Sequence, residues 1–424
     1  MLGTQTAASM VGRRVYVTAV NMITSLGLDL ETSWRALVAG QSGIRKISLF
    51  DASAYQTQIA GELPAGFDEY ARHYCSRRLA RQMARATVMG YVCARKAIES
   101  SSIDFKNLDR TRCAVIFGTA DTGHSKIYDN SYWVLKTMQH STPALLSMEY
   151  GLEGQSMSLT AACASAAYAI GCGYDLITSN KADVVITGGA SAIVNPEHVS
   201  GFNELGALSV SNDPPELASR PFSKGRNGFV IGEGAGVVML ESEASARARG
   251  ATILAELVGY ATTNEAYNIM GPAPGGAGMA KTMRLALQGT GIACDEVDYI
   301  NAHGTSTPLN DKFETLAIKD VFGARAHAIP VSSAKSMIGH TAGACGAVEA
   351  VITVLSLQHG IITPTLNFCR DPELDLDYVP DIARKKSIQV ALSNSFGFGG
   401  CNASLVLRKH PELQLSATGE SGHE

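Results

Sequence analysis

The 424-residue sequence predicts an α/β protein built from two similar halves. Short apolar segments rich in β-branched residues alternate with amphipathic segments, which is the pattern of strands connected by helices. The same alternation begins again at residue 253, so a first half, 13–252, is followed by a second half, 253–410. Residues 1–12 and 411–424 are largely polar, and we expect a flexible leader and a flexible tail there.

Composition narrows the class of protein. The chain is 46% hydrophobic, enough for a large core, and its net charge of −4 gives no basic surplus for nucleic acid. Nine cysteines without a C-x-x-C motif indicate neither a disulfide framework nor a zinc site, and a reducing cytoplasm is the expected compartment. We find no apolar run of the ~20 residues that a membrane span needs and no signal-peptide pattern.

The first half contains these elements in order. Alternating β-branched residues predict a strand over 14–20, and helical spacing of apolar residues predicts helices over 30–37 and 76–98. Buried strands are predicted over 114–117 and 182–189. Near the start of the long helix lie four arginines, Arg77, Arg78, Arg81 and Arg85. They form either a solvated face or a docking surface for acidic and phosphate groups.

Three glycines in the first half are spaced as in a nucleotide-binding turn. They are Gly232, Gly234 and Gly236. The dinucleotide fingerprint must open a helix, but the apolar segment 237–241 that follows is typical of a strand. The sequence therefore argues against a nucleotide site.

The second half repeats the alternation. Strands are predicted over 253–258, 296–300 and 329–332, helices over 279–287 and 342–357, and closing strands over 389–394 and 403–407.

The segment 156–169, SMSLTAACASAAYA, predicts a buried strand, a sharp turn and a helix whose first turn carries Cys163. A helix N-terminus lowers the pKa of a thiol, and the thiolate is the reactive form. The alternative is a buried structural cysteine, because free cysteine is often a small core residue. Cys163 is thus a candidate nucleophile.

His303 and His340 lie in loops after apolar strands, where the ligand sites of α/β folds gather. Each could instead be a buried structural histidine. Together with Cys163 they could also bind zinc. The three residues are far apart in sequence and no fourth ligand stands at a short spacing, so we expect no metal.

These motifs together resemble a known family. The segment around Cys163, NAHGTSTP at 301–308, SAKSMIGH at 333–340 and NSFGFGG at 394–400 resemble the β-ketoacyl-acyl-carrier-protein synthases of the type II branch. The resemblance covers nearly the whole chain. It implies a thiolase-like fold, with the two α/β halves arranged in five layers, α-β-α-β-α, and a decarboxylating Claisen condensation that requires no cofactor.

The resemblance also implies roles for individual residues. Cys163 would carry the acyl chain, the backbone amides of Cys163 and Phe398 would form the oxyanion hole, and His303 and His340 would stabilise the enolate from malonyl. Supporting roles fall to Lys335 bonded to Glu349, and to Thr305 and Thr307 beside the pantetheine arm. The implied partner is an acyl carrier protein, loaded with acyl or malonyl, for which the arginines are a candidate docking surface.

The sequence departs from the family pattern in four places. Asp121 stands where an aliphatic residue usually lines the acyl pocket, and the segment 123–150 is shorter than in fatty-acid synthases of this type. Asn227 replaces an acidic residue, and Cys401 replaces threonine. We therefore expect a specialised synthase, for a polyketide, polyene or unusual acyl chain, rather than housekeeping fatty-acid elongation.

Two alternatives follow from the resemblance. A thiolase-type acyltransferase would use a second cysteine as base, but the setting of Cys401 and the presence of both histidines favour the synthase. The enzyme could also act only with a homologous chain-length factor, in which case this chain is the catalytic member. We expect either a homodimer or such a heterodimer.

Overall fold

The computed structural model describes residues 13–123 and 132–410. The predicted leader and tail lie outside the described residues. Within these ranges the strands are β1 (Val15–Ile23), β2 (Arg45–Lys46), β3 (Ile59–Ala60), β4 (Cys113–Gly118), β5 (Ser156–Leu159), β6 (Val184–Ala192), β7 (Glu233–Ser242), β8 (Ala255–Asn264), β9 (Tyr299–Asn301), β10 (Val331–Ser332), β11 (Ile361–Ile362), β12 (Arg384–Lys385), β13 (Val390–Phe396) and β14 (Cys401–Arg408).

The helices, in the same ranges, are α1 (Leu30–Val38), α2 (Phe67–Ala71), α3 (Arg77–Gln82), α4 (Arg85–Ser101), α5 (Trp133–Thr137), α6 (Ser141–Tyr150), α7 (Ser165–Thr178), α8 (Pro196–Glu204), α9 (Glu243–Ala248), α10 (Ala277–Leu287), α11 (Pro308–Phe322), α12 (Lys335–Ile338) and α13 (Cys345–His359).

Ten strands form one mixed sheet in the order β10-β9-β13-β14-β8-β1-β7-β6-β4-β5. The order is symmetrical about the antiparallel pair β8 and β1. On each side the outer strands pair in parallel and the inner strands pair antiparallel. The chain therefore builds the same five-stranded unit twice, which confirms the predicted α/β class and the two similar halves.

Two central helices, α7 and α13, pack between the halves. Helix α7 contacts β4 and β6 of the first half and β8 and β14 of the second, and α13 contacts β7 and β13. Outside them, α4 covers β1, β6 and β7, while α10 covers β8 and β14. Each five-stranded unit of the sheet thus forms one layer, and the resulting order of helix, strands, helices, strands and helix is the predicted five-layered arrangement.

Small residues allow the central helices to approach their neighbours closely. A Cβ atom on Gly118, at the end of β4, would lie 2.2 Å from the carbonyl carbon of Ser165, and one on Gly346 would lie 2.9 Å from Ala167. These glycines thus bring the start of α7 against both β4 and α13. The start of α7 is where Cys163 is delivered.

The helix predicted over 76–98 is in fact two helices, α3 and α4. Met83 and Ala84 between them are extended. Ala84 is buried, and the Arg85 guanidinium donates hydrogen bonds of 2.9 Å to both carboxylate oxygens of buried Glu233. Tertiary contacts therefore override a helical periodicity that is continuous in the sequence.

Two other expectations have clear outcomes. Strand β5 is not buried as predicted, because it lies at the edge of the sheet and its residues are exposed or half-buried. The segment after Gly232 is the buried strand β7, so the three glycines lead into a strand and not into a helix.

The stretch Ala342–His359 is long and apolar enough to span a membrane by composition, but 83% of it is buried in this fold as a core helix.

Candidate active site

Four loops at the ends of strands deliver the predicted site residues to one place. Cys163 lies in the turn between β5 and α7, and His303 follows β9. Lys335 and His340 follow β10, and Phe398 lies between β13 and β14. Cys163 precedes α7 by two residues, whereas the sequence predicted it inside the first turn of the helix.

His340 contacts the Cys163 sulfur directly. Its Nε2 atom lies 3.1 Å from Sγ, and its Nδ1 accepts a hydrogen bond of 3.2 Å from the backbone N–H of Ala342. Burial holds the pKa of His340 well below its usual value of 6.5, and the Lys335 charge lowers it further. A neutral imidazole whose Nδ1 accepts must carry its proton on Nε2. His340 therefore points an N–H donor at the sulfur.

His303 is oriented in the same way. The Lys335 ammonium, which can only donate, lies 3.4 Å from Nδ1 of His303 and 2.5 Å from its backbone carbonyl oxygen. Burial lowers the pKa of His303 well below 6.5, with Lys335 and His340 adding to the effect. The proton of His303 therefore also resides on Nε2. Its ring stands nearly perpendicular to that of His340, with centroids 5.4 Å apart.

Lys335 and Glu349 form a fully buried ion pair. Each side chain is 2% exposed, and Nζ donates to Oε1 of Glu349. Burial by itself would lower the pKa of Lys335, but the Glu349 carboxylate, with smaller contributions from Cys345 and Glu314, outweighs it and raises the pKa. The ammonium therefore stays charged. This is the pairing that the resemblance implied, and it holds the cation behind His303.

The pKa of Cys163 is raised to about 11, contrary to the lowering that the helix N-terminus predicted. Burial is the largest cause, and it outweighs three opposing influences: the Lys335 charge and the backbone N–H groups of Phe398 and Cys163, which donate to the sulfur. Those two amides are the pair expected to form the oxyanion hole. Gly399, with φ at 74°, provides the turn after Phe398.

Sequence reasoning missed two buried carboxylates on α11. Glu314 accepts hydrogen bonds of 2.8 Å from the backbone N–H groups of His303 and Gly304, and burial raises its pKa to about 7. Asp311 accepts from the N–H of Thr305 at 3.0 Å. Both therefore fix the loop that carries His303. The sequence did contain a signal for them, because two acidic residues three positions apart lie on the helix that follows the NAHGTSTP motif.

Cys345 was also missed. Its Sγ donates to the backbone carbonyl of Cys163 at 3.1 Å, and it is buried at the start of α13. The aromatic rings of Phe229 and Phe396 stand edge-on to His340 and His303, with centroids 5.2 and 6.0 Å away. Cys345 also lies beside the ion pair, because its sulfur and a carboxylate oxygen of Glu349 are within 4.8 Å of each other.

Cys163, His303 and His340 open into a cavity of about 440 Å³. Thr305 and Thr307 line it and share a hydrogen bond of 2.8 Å between their hydroxyl groups. Asn227 also lines it, held by Ser209. Most of the remaining lining is apolar, from Ala120, Ile193, Phe202, Met270, Met279 and Phe398. A cavity of this kind suits an acyl chain with a polar connecting arm.

Two residues singled out in the sequence lie outside this lining. Asp121 was expected in the acyl pocket, but its neighbour Ala120 lines the cavity while the Asp121 side chain is 49% exposed and turns toward His198. Burying an unpaired carboxylate would cost free energy, which explains the outward orientation. Cys401 contacts Asn264 and Tyr168 rather than Cys163. It is therefore not placed as a thiolase-like base.

The four arginines separate into two groups. Arg85 is held by Glu233 and has a structural role. Arg77, Arg78 and Arg81 are exposed, form no ion pair with any described residue, and line an open groove of about 1040 Å³ together with Lys136. Of the four arginines, only these three are therefore placed to bind the acidic and phosphate groups of a partner.

The ligand atoms of Cys163, His303 and His340 lie within 4.8 Å of one another. Distance in sequence was therefore no guide to whether they could meet. The arrangement of hydrogen bonds supplies another use for the cluster, because the Nε2–H of His340 and the backbone amides of Cys163 and Phe398 point at the sulfur, while His303 lies beside them. Such donors stabilise negative charge that develops on oxygen or sulfur.

Comparison with known proteins assigns the family. The family model for the N-terminal domain of β-ketoacyl synthases matches residues 12–246, and the model for the C-terminal domain matches residues 254–369. A 3-oxoacyl-[acyl-carrier-protein] synthase 2 from Vibrio harveyi is 40% identical over 416 residues, which cover 94% of this chain and 99% of that protein. One from Staphylococcus aureus strain N315 is 39% identical, covering 94% and 98%.

Solved structures agree. The ishigamide ketosynthase/chain length factor has a TM-score of 0.87 and 32% identity, and a β-ketoacyl synthase from Burkholderia phymatum has 0.85 and 32%. A type II polyketide ketosynthase bound to a hexaketide, in complex with its acyl-carrier protein, has a TM-score of 0.85 and 30% identity. Each match covers 94% of this chain and 100% of the other. The fold, the Cys163–His303–His340 site and these matches together establish that the chain belongs to the β-ketoacyl synthase family, whose members are condensing acyltransferases.

Proposed function

We propose that the chain joins an acyl group on Cys163 to the two-carbon unit of malonyl-carrier protein, and that it serves a specialised polyketide, polyene or unusual fatty-acid pathway. One observation carries the reaction. One ring nitrogen of His303, one of His340 and the Cys163 sulfur lie within 4.8 Å of one another in an apolar cavity. A thioester seated there can meet a nucleophile and two anion-stabilising donors at once.

In the first stage, the Cys163 thiolate attacks the thioester carbonyl of an acyl-carrier protein. The backbone N–H groups of Cys163 and Phe398 stabilise the tetrahedral oxyanion. The carbon–sulfur bond to the carrier then breaks, and the carrier's sulfur leaves as a thiolate. It takes up from solvent a proton equivalent to the one that Cys163 released on ionising, and departs as a free thiol. Cys163 now holds the acyl chain as a thioester.

In the second stage, malonyl-carrier protein enters. The bond to its carboxylate breaks, carbon dioxide leaves, and the electron pair moves onto the thioester oxygen as an enolate. His303 and His340 donate to that oxygen, each as a neutral imidazole, so their own charge does not change. The enolate carbon then attacks the Cys163 thioester and the cysteine sulfur leaves, giving a β-ketoacyl chain on the carrier.

The proposal of a specialised pathway rests on two departures of the sequence from the family pattern, at Asp121 and in the segment 123–150. A curated relative at 40% identity is a 3-oxoacyl-[acyl-carrier-protein] synthase 2, which favours fatty-acid elongation as the second candidate. One structurally similar protein is the ketosynthase of a type II polyketide synthase and another is a ketosynthase/chain length factor, which favours the first. The acyl chain that loads Cys163 most readily distinguishes the two.

The test uses intact mass of the purified chain after exposure to a panel of acyl-carrier protein thioesters, saturated and polyunsaturated, with Cys163→Ala beside it. An adduct in the parent and none in Cys163→Ala supports the nucleophile. Preference for polyunsaturated or substituted chains supports the specialised role. Preference for simple saturated chains contradicts it, and absence of any adduct, even with carrier in excess, contradicts the condensing role of this chain alone.

The carrier docks on the groove lined by Arg77, Arg78 and Arg81. Arginine pairs well with carboxylates and phosphate, and these three lack other partners among the described residues. Reversing their charge should raise the KM for carrier-bound substrate at least about tenfold and leave kcat unchanged. Lys181→Glu, an exposed site outside the groove, is the control. An unchanged KM would place docking elsewhere.

The assembly is a homodimer, or a heterodimer with a homologous chain-length factor. Edge strand β5 leaves one row of backbone groups open beside the start of the Cys163 turn, which supports pairing with a second chain there. Cytoplasmic residence fits nine cysteines that are all free thiols in the structure.

A further inference from the structure

One wall of the cavity is formed by Ala120, Ile193 and Phe202. These residues come from three segments: the loop after β4, the loop after β6, and helix α8. The loop after β4 and helix α8 are far apart along the chain, so the covalent chain does not fix the distance between them. Contacts behind the wall must therefore determine how deep the cavity is on this side.

Three polar residues directly behind the wall make that connection. The Asn195 Oδ1 atom accepts hydrogen bonds from the backbone N–H of His198 at 2.9 Å and from its Nδ1 at 2.8 Å, and the Asn195 side-chain amide donates to the carbonyl of Gly123 at 3.1 Å. The His198 Nε2 atom lies 3.7 Å from Oδ1 of Asp121. Oδ1 of Asp121 in turn accepts from the N–H of Gly123 at 2.6 Å.

We propose that Asp121, His198 and Asn195 form a latch that sets the acyl-chain length accepted by the enzyme. Each latch residue is close in sequence to a wall residue, and Asn195 lies two residues after Ile193. Asp121 follows Ala120, and His198 lies one helical turn before Phe202, with ring centroids 6.4 Å apart. The latch ties the loop after β4 to α8 and so holds the wall closed against the end of the chain. This inference rests on the proposed function, because it requires an acyl chain in this cavity.

The latch acts through the wall and not by touching substrate. Neither Asp121 nor His198 lines the cavity. The side chains of Asp121 and His198 are 49% and 24% exposed, so their contact adds little to the free energy of unfolding and can be removed without unfolding the chain. The three residues are therefore positioning residues, and their effect should be confined to chain length.

The experiment measures the rate of Cys163 acylation by saturated acyl-carrier protein thioesters of increasing length, read by intact mass. The variants are His198→Ala, Asp121→Ala, and Glu204→Gln, an exposed residue on the same helix, as the control. Loss of the latch should leave acylation by the chains that the parent accepts unchanged. It should raise acylation by chains that the parent excludes, roughly tenfold for each additional methylene that the opened wall admits.

Phe202→Ala serves as the comparison, since it removes the wall itself. If the latch works through Phe202, the double variant His198→Ala/Phe202→Ala should accept the same chains as Phe202→Ala alone, because both changes act on one wall. An unchanged length profile in His198→Ala and Asp121→Ala, beside an extended one in Phe202→Ala, would overturn the latch. Should His198→Ala fail to fold, Asp121→Ala, at a half-exposed position, decides the matter.

The failure of the latch and the failure of the proposed function give different results. A parent enzyme that forms no adduct with any chain defeats the proposed function, and the latch with it. A parent that forms adducts whose length profile is insensitive to the latch variants defeats the latch alone.

Discussion

The Nε2 atom of His340 lies 3.1 Å from the Sγ atom of Cys163, and the Ala342 N–H occupies the other nitrogen of the ring. His340 consequently offers the sulfur a hydrogen-bond donor and has no free lone pair to accept the thiol proton. Cys163 must ionise by itself before it attacks. The donors offset only part of the cost of burying the thiolate, whose pKa stays raised, and they remain available to an anion that forms later on the substrate.

The first prediction concerns the pH dependence of the nucleophile. Burial raises the pKa of Cys163 to about 11, so the thiolate fraction should grow about tenfold per pH unit below that value. Alkylation of Cys163 by iodoacetamide, followed by intact mass with Cys163→Ala to subtract other thiols, should therefore accelerate continuously up to about pH 10. A plateau below about pH 9 would mean that the thiolate is better stabilised than this geometry indicates.

A second prediction concerns the pH dependence of decarboxylation. Because the pKa values of His303 and His340 lie well below 6.5, both imidazoles are neutral above that range and become charged only in more acidic solution. Carbon dioxide release from a malonyl thioester should stay constant from about pH 8 down to about pH 6. An activity that halves near the ordinary histidine pKa would show that at least one imidazole titrates normally.

The two histidines should differ in what their removal affects. In the proposed mechanism each donates to the enolate oxygen, so His303→Ala and His340→Ala should each slow decarboxylation about 10²–10³-fold. Only His340 donates to the Cys163 sulfur, so acylation should fall in His340→Ala and stay close to the parent rate in His303→Ala. Single-turnover acylation and carbon dioxide release, measured on the same preparations, separate these effects. Equal loss of acylation in both variants would contradict the assignment.

Breaking the buried ion pair should cost stability as well as activity. Lys335→Met leaves the Glu349 carboxylate unpaired in the core, which should lower the free energy of unfolding by about 3–5 kcal/mol in urea titrations. The double variant Lys335→Met/Glu349→Leu should recover much of that stability, because no buried charge remains. Decarboxylation should not recover, since nothing then holds Nδ1 of His303. Recovery of both would make the pair purely structural.

The last prediction tests assembly through β5. In the parallel pairing of β5 with β4, the backbone groups of Gln155 and Leu159 face β4, so by alternation those of Ser158 face the open edge. Ser158→Pro removes that outward N–H and should convert a dimer to a monomer in light-scattering measurements. Ser158→Ala keeps the N–H and is the matched control. A dimer that survives Ser158→Pro must form through another surface.

Much of the site was predictable because its residues occupy long local motifs. Cys163, His303 and His340 each lie next to an apolar strand and to small residues or glycines. These neighbours in the sequence predict the loops that carry the three side chains. The period of the apolar residues likewise predicted the α/β class and the repeat of the two halves, since it reflects which face of each element is buried.

Only the tertiary structure decided properties that arise between distant segments. The break at Met83 depends on Arg85 reaching Glu233, and the edge position of β5 depends on the order of strands in the sheet. The raised pKa of Cys163 and the protons on Nε2 of both histidines follow from burial and from neighbours such as Ala342 and Lys335. The orientation of Asp121 follows from His198, on another element. The sequence thus determined which groups the site contains, while burial and long-range contacts determined their charge, their tautomers and the shape of the cavity.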